Sequence, residues 1–231
     1  MLPAENNLVQ NTYRAIFGNE YPELLKLFLA HGQVKAFAKG KPLFKENDAP
    51  LGFFWILEGN CKICKCLNEE IEQIVTIVGP GDFTGITSCL NDVPYKKGCV
   101  ALHSSTQALF IPKESFYLWL TKYPGITLPL LKQMDSKIDR IENRAAYFLR
   151  KTIDQRLAHA ILLLRDKFGQ NGDNYMKLRL SPQEFASFIG TTRTTIYRVF
   201  KRLEDEHMIE INNKRLRIVD DTALRSLAHN A

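Results

Sequence analysis

The sequence predicts an α+β chain in three stretches: a β-roll or β-sandwich, a long helix, and a small helical domain closed by a hairpin. Three observations predict it. Between residues 34 and 118 short apolar runs recur (FAKGKPLF, FFWILEGNCKICKCL, IEQIVTIVGPGDF, CVALHSSTQALFIP), punctuated at GKP, APLG, EGN, GPGD and VPYKKG. After Pro124 the apolar period becomes that of a helix. From Ser181 onward, capping residues and a stop glycine mark two short helices before the strand pair IEINN and KRLRIV.

The strands come first. Alternate positions of IEQIVTIV fit a half-buried strand. Glu69 and Glu70 fall in a hairpin turn, read as solvated rather than as an acid–base pair. In the long helix, Leu131, Met134, Ile138, Ile141, Ala145 and Phe148 follow spacings of 3, 4, 3, 4 and 3, a heptad seam. With Leu131 at position a, Asp135, Lys137, Glu142 and Arg144 occupy e and g, where opposite charges pair across a parallel two-stranded coil. The seam fits either a dimer or a helix packed on its own domain. Residues 150–155, RKTIDQ, read as a polar hinge before a second helix, RLAHAILLLRDKFG, that stops at Gly169.

In SPQEFASFIG, Ser181 caps a helix, Pro182 suits its first turn and Glu184 completes a capping box; Gly190 ends it. A new helix capped by Thr192 runs to about His207. Ile196, Val199, Phe200 and Leu203 form its buried stripe. The other side carries Arg193, Thr194, Tyr197, Arg198 and Lys201, and acids enter only at Glu204, Asp205 and Glu206. A short helix, a glycine turn and a helix with a basic first half make a helix-turn-helix, whose second helix enters the major groove of DNA. Arginine there reads guanine with two hydrogen bonds. Thr191, Thr192 and Thr195, with the free amides of the helix start, are placed for phosphates. The hairpin becomes a wing, with Lys214, Arg215 and Arg217 directed at the DNA backbone.

Charge agrees with this placement. The chain's net +6 is uneven: residues 150–231 hold 15 Lys+Arg against 10 Asp+Glu, or +5, and residues 1–149 hold 16 against 15, or +1. The excess in the last third fits either a polyanion held by phosphate neutralisation or a solubilising surface. The start MLPAENNLVQ lacks the features of a secretory signal, and AILLL is among the longest apolar runs, too short for a bilayer; cytoplasmic residence is expected, with no membrane partner. Cys61, Cys64, Cys66, Cys89 and Cys99 are odd in number, which argues against a disulfide framework. On one strand Cys64 and Cys66 share a face and Cys61 takes the other, so CKICKC does not converge three thiolates on a metal. Two readings of the cysteines stand: small core fillers, or redox sensing. His31, His103, His159, His207 and His229 are dispersed, and His103 reads as a strand surface residue. No cofactor, metal or catalytic motif appears, so no enzyme is expected.

The motifs ILEGNCKI, GPGDFTGI, DQRLAHAILLL and LSPQEFASFIGTTRTTIYRVFKRLEDEHMI, taken together, resemble the CRP/FNR family of bacterial transcription regulators over roughly residues 20–220. The resemblance implies a cyclic-nucleotide-binding-like jelly roll for effector sensing with an N-terminal helical segment (1–123), a dimerisation helix and hinge (124–152), and a winged helix-turn-helix (153–231). It implies a homodimer on an inverted-repeat operator, its recognition helices about 34 Å apart, with RNA polymerase as a further partner if the chain activates.

It also implies an effector pocket at Gly85, Ile86, Thr87, Ser88, Lys96, Lys97, Ile141 and Glu142, with departures from the cyclic-AMP receptors. Ile86 replaces the glutamate that holds the ribose. Lys96 or Lys97 replaces the arginine that grips the phosphate, without its planar fork. Ile141 and Glu142 replace the adenine-binding threonine and serine. The expected effector is therefore unknown and not cyclic AMP. A redox- or metal-responsive regulator, or one needing no effector, are the alternatives. Oxygen-sensing relatives carry cluster cysteines near the N-terminus, where the first 60 residues here have none. In the recognition helix Thr194 replaces a shared glutamate and Tyr197 a small residue, so base preference differs from theirs; Tyr197 reaches a thymine methyl or packs on the sugar-phosphate edge.

Overall fold

The structure, a computed structural model, describes residues 3–17, 22–67 and 72–229, which form two compact units, Met1–Asp139 and Arg140–Ala231. In the first, helices α1 (Pro3–Phe17) and α2 (Pro22–His31) precede the strands β1 (Gln33–Phe37), β2 (Pro42–Phe44), β3 (Gly52–Glu58), β4 (Cys61–Cys66), β5 (Glu72–Val78), β6 (Phe83–Thr84), β7 (Gly98–Ala101) and β8 (Thr106–Pro112). Helix α3 (Ile86–Asn91) follows β6, and α4 (Lys113–Lys122) follows β8. Two antiparallel sheets result, ordered β1-β8-β3-β6 and β2-β7-β4-β5.

Strand β3 explains the unbroken apolar run GFFWILE, because both of its faces are covered. Phe54 and Ile56 point into the roll with Phe44, Cys61, Ile63, Val78, Tyr95 and Cys99. Phe53, Trp55 and Leu57 point the other way, into a core with Val9 and Tyr13 of α1, Leu24 and Phe28 of α2, and Phe116 and Trp119 of α4. The helices thus seal the outer face of the sheet, and Trp55 adds a hydrogen bond from Nε1 to the Gly81 carbonyl at 3.1 Å.

The alternation expected of IEQIVTIV does not hold. Ile63 pairs with Thr76 but Cys64 pairs with Ile74, so a bulge at Val75 shifts the phase, and Ile74 and Ile77 are both buried. The proposed turn at Glu69 and Glu70 lies outside the described residues. His103 sits half-buried in the bend before β8, not on a strand.

A 3-10 turn (Pro124–Ile126) leads into α5 (Thr127–Arg150), whose first half belongs to the first unit and last turns to the second. Leu130 is buried, whereas Leu131, Ile138 and Ile141 of the predicted seam are 55%, 51% and 36% exposed. Met134 and Phe148 are half-buried and Ala145 is exposed. The Phe148 carbonyl accepts from Arg156 Nη2 at 2.6 Å and its ring lies under that guanidinium, which ties this end of the seam to the second unit's own body. Asp135 and Glu142 are exposed, and the side chains of Lys137 and Arg144 lie outside the description.

The hinge is shorter than the polar interval suggests. Helix α6 (Ile153–Phe168) begins within it, because Thr152 and Gln155 form a complete capping box. The second unit continues with α7 (Pro182–Ile189), α8 (Arg193–Asp205), β9 (Ile209–Asn212), β10 (Arg215–Ile218) and α9 (Asp221–His229). Its core joins Leu157, Ile161 and Leu164 of α6 to Phe185, Ile189, Ile196, Phe200 and Leu224.

Candidate nucleic-acid interface

Local chemistry sets the two helices of the motif. Ser181 Oγ accepts from the Glu184 amide at 3.2 Å, while Glu184 Oε2 accepts from the Ser181 amide at 2.7 Å. Gly190 stops α7 in the left-handed region at φ 73°, ψ 52°, a conformation that costs a residue without Cβ nothing. There the Thr191 amide donates back to the Ala186 carbonyl at 2.9 Å. Phe185 meets Phe200 edge-on at 5.4 Å, which fixes α7 against α8. Arg202 pairs with Asp154 of α6.

This packing buries Ile196, Val199, Phe200 and Leu203 and turns the opposite side of α8 outward. Arg193, Thr194, Tyr197, Arg198 and Lys201 are all exposed there. Among the described residues no carboxylate pairs with Arg193, Arg198 or Lys201. The Arg193 guanidinium lies 5.6 Å from the centre of the Tyr197 ring.

The threonines divide differently from the expectation. Thr192 Oγ1 caps the helix by accepting from the Thr195 amide at 3.2 Å and also bonds Thr195 Oγ1 at 3.0 Å. The cap thus uses the Thr192 hydroxyl and the Thr195 amide, the Thr195 hydroxyl only accepts and keeps its own proton to donate, and the Thr191 amide is taken by Ala186. The amides left facing outward in the first turn are those of Arg193 and Thr194.

The wing is a two-residue hairpin. Asn213 and Lys214 have φ of 49° and 63°, the pair of positive values a type I′ turn requires. Lys214 is exposed at the tip and Arg215 half-buried. Arg217 is engaged inside the wing: Glu210 accepts from its Nε at 2.9 Å and also holds the Tyr175 hydroxyl, at 2.9 Å. The Arg217 and Tyr175 partners hold the Glu210 carboxyl below its ordinary range. Tyr175 also bridges to Arg217 through the backbone, so the wing leans on the 170–176 loop. Arg217 is therefore a wing brace, a role its sequence position does not reveal. The Glu204 carboxylate accepts from the Ile211 amide at 2.9 Å and joins α8 to the wing.

The predicted effector residues differ in exposure within their own units. Gly85 keeps φ 85°, and a Cβ there would stand 3.1 Å from the Tyr95 ring. Ile86 is buried on the helix-covered side of the sheet, and Ser88 is buried, its hydroxyl donating to the Pro94 carbonyl at 3.4 Å. Thr87 and Lys96 are exposed and Lys97 half-buried. Ile141 and Glu142 are exposed on the second unit. Tyr95, against which Gly85 packs, was not singled out in the sequence. Its ring is buried inside the roll, stacked 4.1 Å from Phe44, and its hydroxyl donates to the Gly52 carbonyl. Burial pushes its phenol up to about 12. Its signal is an aromatic between a turn proline and two lysines.

All five cysteines are free thiols, four of them buried and Cys66 exposed. Cys61 and Cys99 face the roll interior. Cys64 lies near Glu72 and Lys62, which agrees with opposite faces for Cys61 and Cys64. Burial pushes the Cys64 thiol up to about 12, with Glu72 adding to it, and the Cys89 thiol to about 11. Cys99, beside Cys61, is likewise raised by burial. Thiols of this kind form little thiolate and react slowly. Among the described residues no cluster of three or more His, Cys, Asp or Glu is placed to hold a metal ion.

A capped helix, a glycine turn, a second helix with an acid-free basic face and a type I′ hairpin constitute a winged helix-turn-helix, the architecture of a DNA-binding regulator. Comparison with known proteins agrees. Residues 34–123 match the cyclic nucleotide-binding domain and residues 155–227 the Crp-like helix-turn-helix domain. The chain belongs to the CRP/FNR family of transcription regulators. It is 29% identical over 173 residues to a probable transcriptional regulator, flp, of Lacticaseibacillus casei, covering 75% of this chain and 77% of that one. It is 26% identical over 195 residues to the transcriptional activator protein FnrA of Stutzerimonas stutzeri, covering 84% and 79%. The structure of FixK2 from Bradyrhizobium japonicum superposes with a TM-score of 0.76 at 17% identity, covering 87% of this chain and 98% of that one, which shows a shared fold. Among the described residues no helix is long and apolar enough to cross a membrane.

Proposed function

We propose that the chain is a homodimeric regulator that reads an inverted-repeat operator with α8, under an effector other than cyclic AMP. The observation that carries the DNA reading is the exposed face of α8, where Arg193, Arg198 and Lys201 meet no carboxylate. Cations held free on a rigid helix are available to phosphates and guanine edges. Lys214 and Arg215 supply the wing's contacts, and the amides of Arg193 and Thr194 face a phosphate. The dimer reading rests on Leu131, Ile138 and Ile141, which leave an apolar stripe on α5 that a second copy covers. In this reading residues 1–123 sense, 124–152 join the two copies and 153–231 bind DNA in the cytoplasm, with RNA polymerase a partner if transcription is activated.

The effector reading rests on Ile86, which turns into the core and offers no carboxylate to a ribose, and on Lys96, which is exposed. Two measurements test the whole. Selection of bound sequences from random DNA should return an inverted repeat; an unordered set refutes the operator. Calorimetric titration with cyclic AMP should give no heat at millimolar ligand; saturable micromolar binding refutes the effector reading.

A further inference from the structure

The face of α8 carries a feature that basic charge alone does not account for. Tyr197 is 48% exposed, yet it sits amid cations on the side turned away from the core. It follows Arg193 by four residues, so the two share a face one turn apart. The Arg193 guanidinium lies 5.6 Å from the Tyr197 ring centre. A cation over an aromatic face is held there by the ring quadrupole, and the stacked plane limits the directions its N–H groups can take. Thr194, between them in sequence, is short and uncharged, so no carboxylate draws the guanidinium elsewhere.

The major groove offers a matching pair of features. Guanine presents O6 and N7 to a guanidinium fork, and thymine presents the groove's one apolar group, its 5-methyl. A fork held beside an aromatic ring fits a guanine with a thymine next to it. We infer that Arg193 and Tyr197 act as one reading unit, the arginine taking the guanine and the tyrosine ring covering the methyl of the adjoining thymine. This rests on α8 being the recognition helix. In the unit Arg193 makes the hydrogen bonds, and Tyr197 both aims Arg193 and sets preference at the neighbouring step. Arg198, one residue further round the helix, reads separately.

The test uses the full-length chain and its selected half-site. Each thymine is replaced in turn by uracil, which removes the methyl alone, and affinity is read by fluorescence anisotropy. One thymine beside the guanine should matter, its loss weakening binding about fourfold, the worth of one apolar carbon. In Tyr197→Ala that uracil penalty should vanish, and in Tyr197→Phe it should remain, since the ring and not the hydroxyl covers the methyl. Replacing the guanine by 7-deazaguanine should weaken wild type but leave Arg193→Ala unchanged. A uracil penalty that persists in Tyr197→Ala, or Tyr197→Phe behaving as Tyr197→Ala, overturns the pair while the recognition helix stands. No sequence preference in the wild-type selection overturns the recognition helix, and the pair with it. Since Tyr197 is half exposed, thermal unfolding of the variants should match wild type; a large fall would show that the residue packs rather than reads.

Discussion

Replacing Ile138 by alanine separates the dimer seam from the fold. Ile138 is 51% exposed on the single chain, so about half of its side chain is left for a second copy to bury. Full burial of an isoleucine stabilises by roughly 1.5–3 kcal/mol, so the exposed half is worth about 1 kcal/mol per copy. Symmetry counts it twice, giving about 2 kcal/mol for the dimer, or roughly a thirtyfold rise in Kd. The folded monomer should lose far less than at a core position, because about half of what alanine removes is already in solvent there. Leu130, eight residues earlier and 5% exposed, supplies the contrast. Leu130→Ala leaves a hole in the first unit's core and should cost that fold about 2–5 kcal/mol. Sedimentation equilibrium over a dilution series reads the dimer, and thermal unfolding the fold. Ile138→Glu, which places an unpaired charge in the seam, should abolish the dimer at concentrations where wild type is intact. A dimer that survives Ile138→Glu at low concentration refutes the seam; a loss of fold stability in Ile138→Ala as large as that of Leu130→Ala refutes the claim that this residue half faces solvent in the monomer.

Arg193→Ala and Arg198→Ala should each weaken operator binding by about 1–3 kcal/mol and relax selectivity at one position, as measured by anisotropy on single-base variants; unchanged preference in both sinks the recognition helix. Arg217→Ala should lower DNA affinity less than Lys214→Ala, because Glu210 already holds Arg217 within the wing; equal losses would put Arg217 on phosphate. Ser181→Ala removes the cap of α7 and should lower stability by about 0.5–2 kcal/mol in denaturant titration. The thiols of Cys64 and Cys89 ionise near 12 and 11 when folded against an ordinary 9.0, so the unfolded chain releases protons first. Stability should be constant in this respect below pH 9 and fall as pH rises from 9 towards 12. In the same folded protein at neutral pH, alkylation followed by mass spectrometry should mark exposed Cys66 and spare Cys61 and Cys99.

The sequence by itself determined what short-range chemistry controls. Ser181 and Glu184, Gly190 and Thr192 place the ends of α7 and α8 because caps and left-handed turns involve residues three or four apart. The spacing of Ile196, Val199, Phe200 and Leu203 decides which face of α8 is buried, and therefore that Arg193, Tyr197 and Arg198 look outward. The hairpin was legible for the same reason, although its turn, read as Asn-Asn-Lys, is the two residues Asn213 and Lys214. Only the tertiary structure decided what depends on partners distant in the chain. Alternation along β5 gave way to a bulge because β4 sets its register. Ile86 went to the core and Tyr95 into the roll because helices α1, α2 and α4 cover one side of the first sheet and the second sheet closes the other. Helix α9 was not anticipated; its buried residues are few and their role comes from packing on α6. Sequence position alone does not show that Glu210, 7 positions earlier in the chain, holds Arg217, nor that Tyr175, 42 positions earlier, shares that carboxylate. A charge's availability is a property of its neighbours in space, and those are not adjacent in sequence.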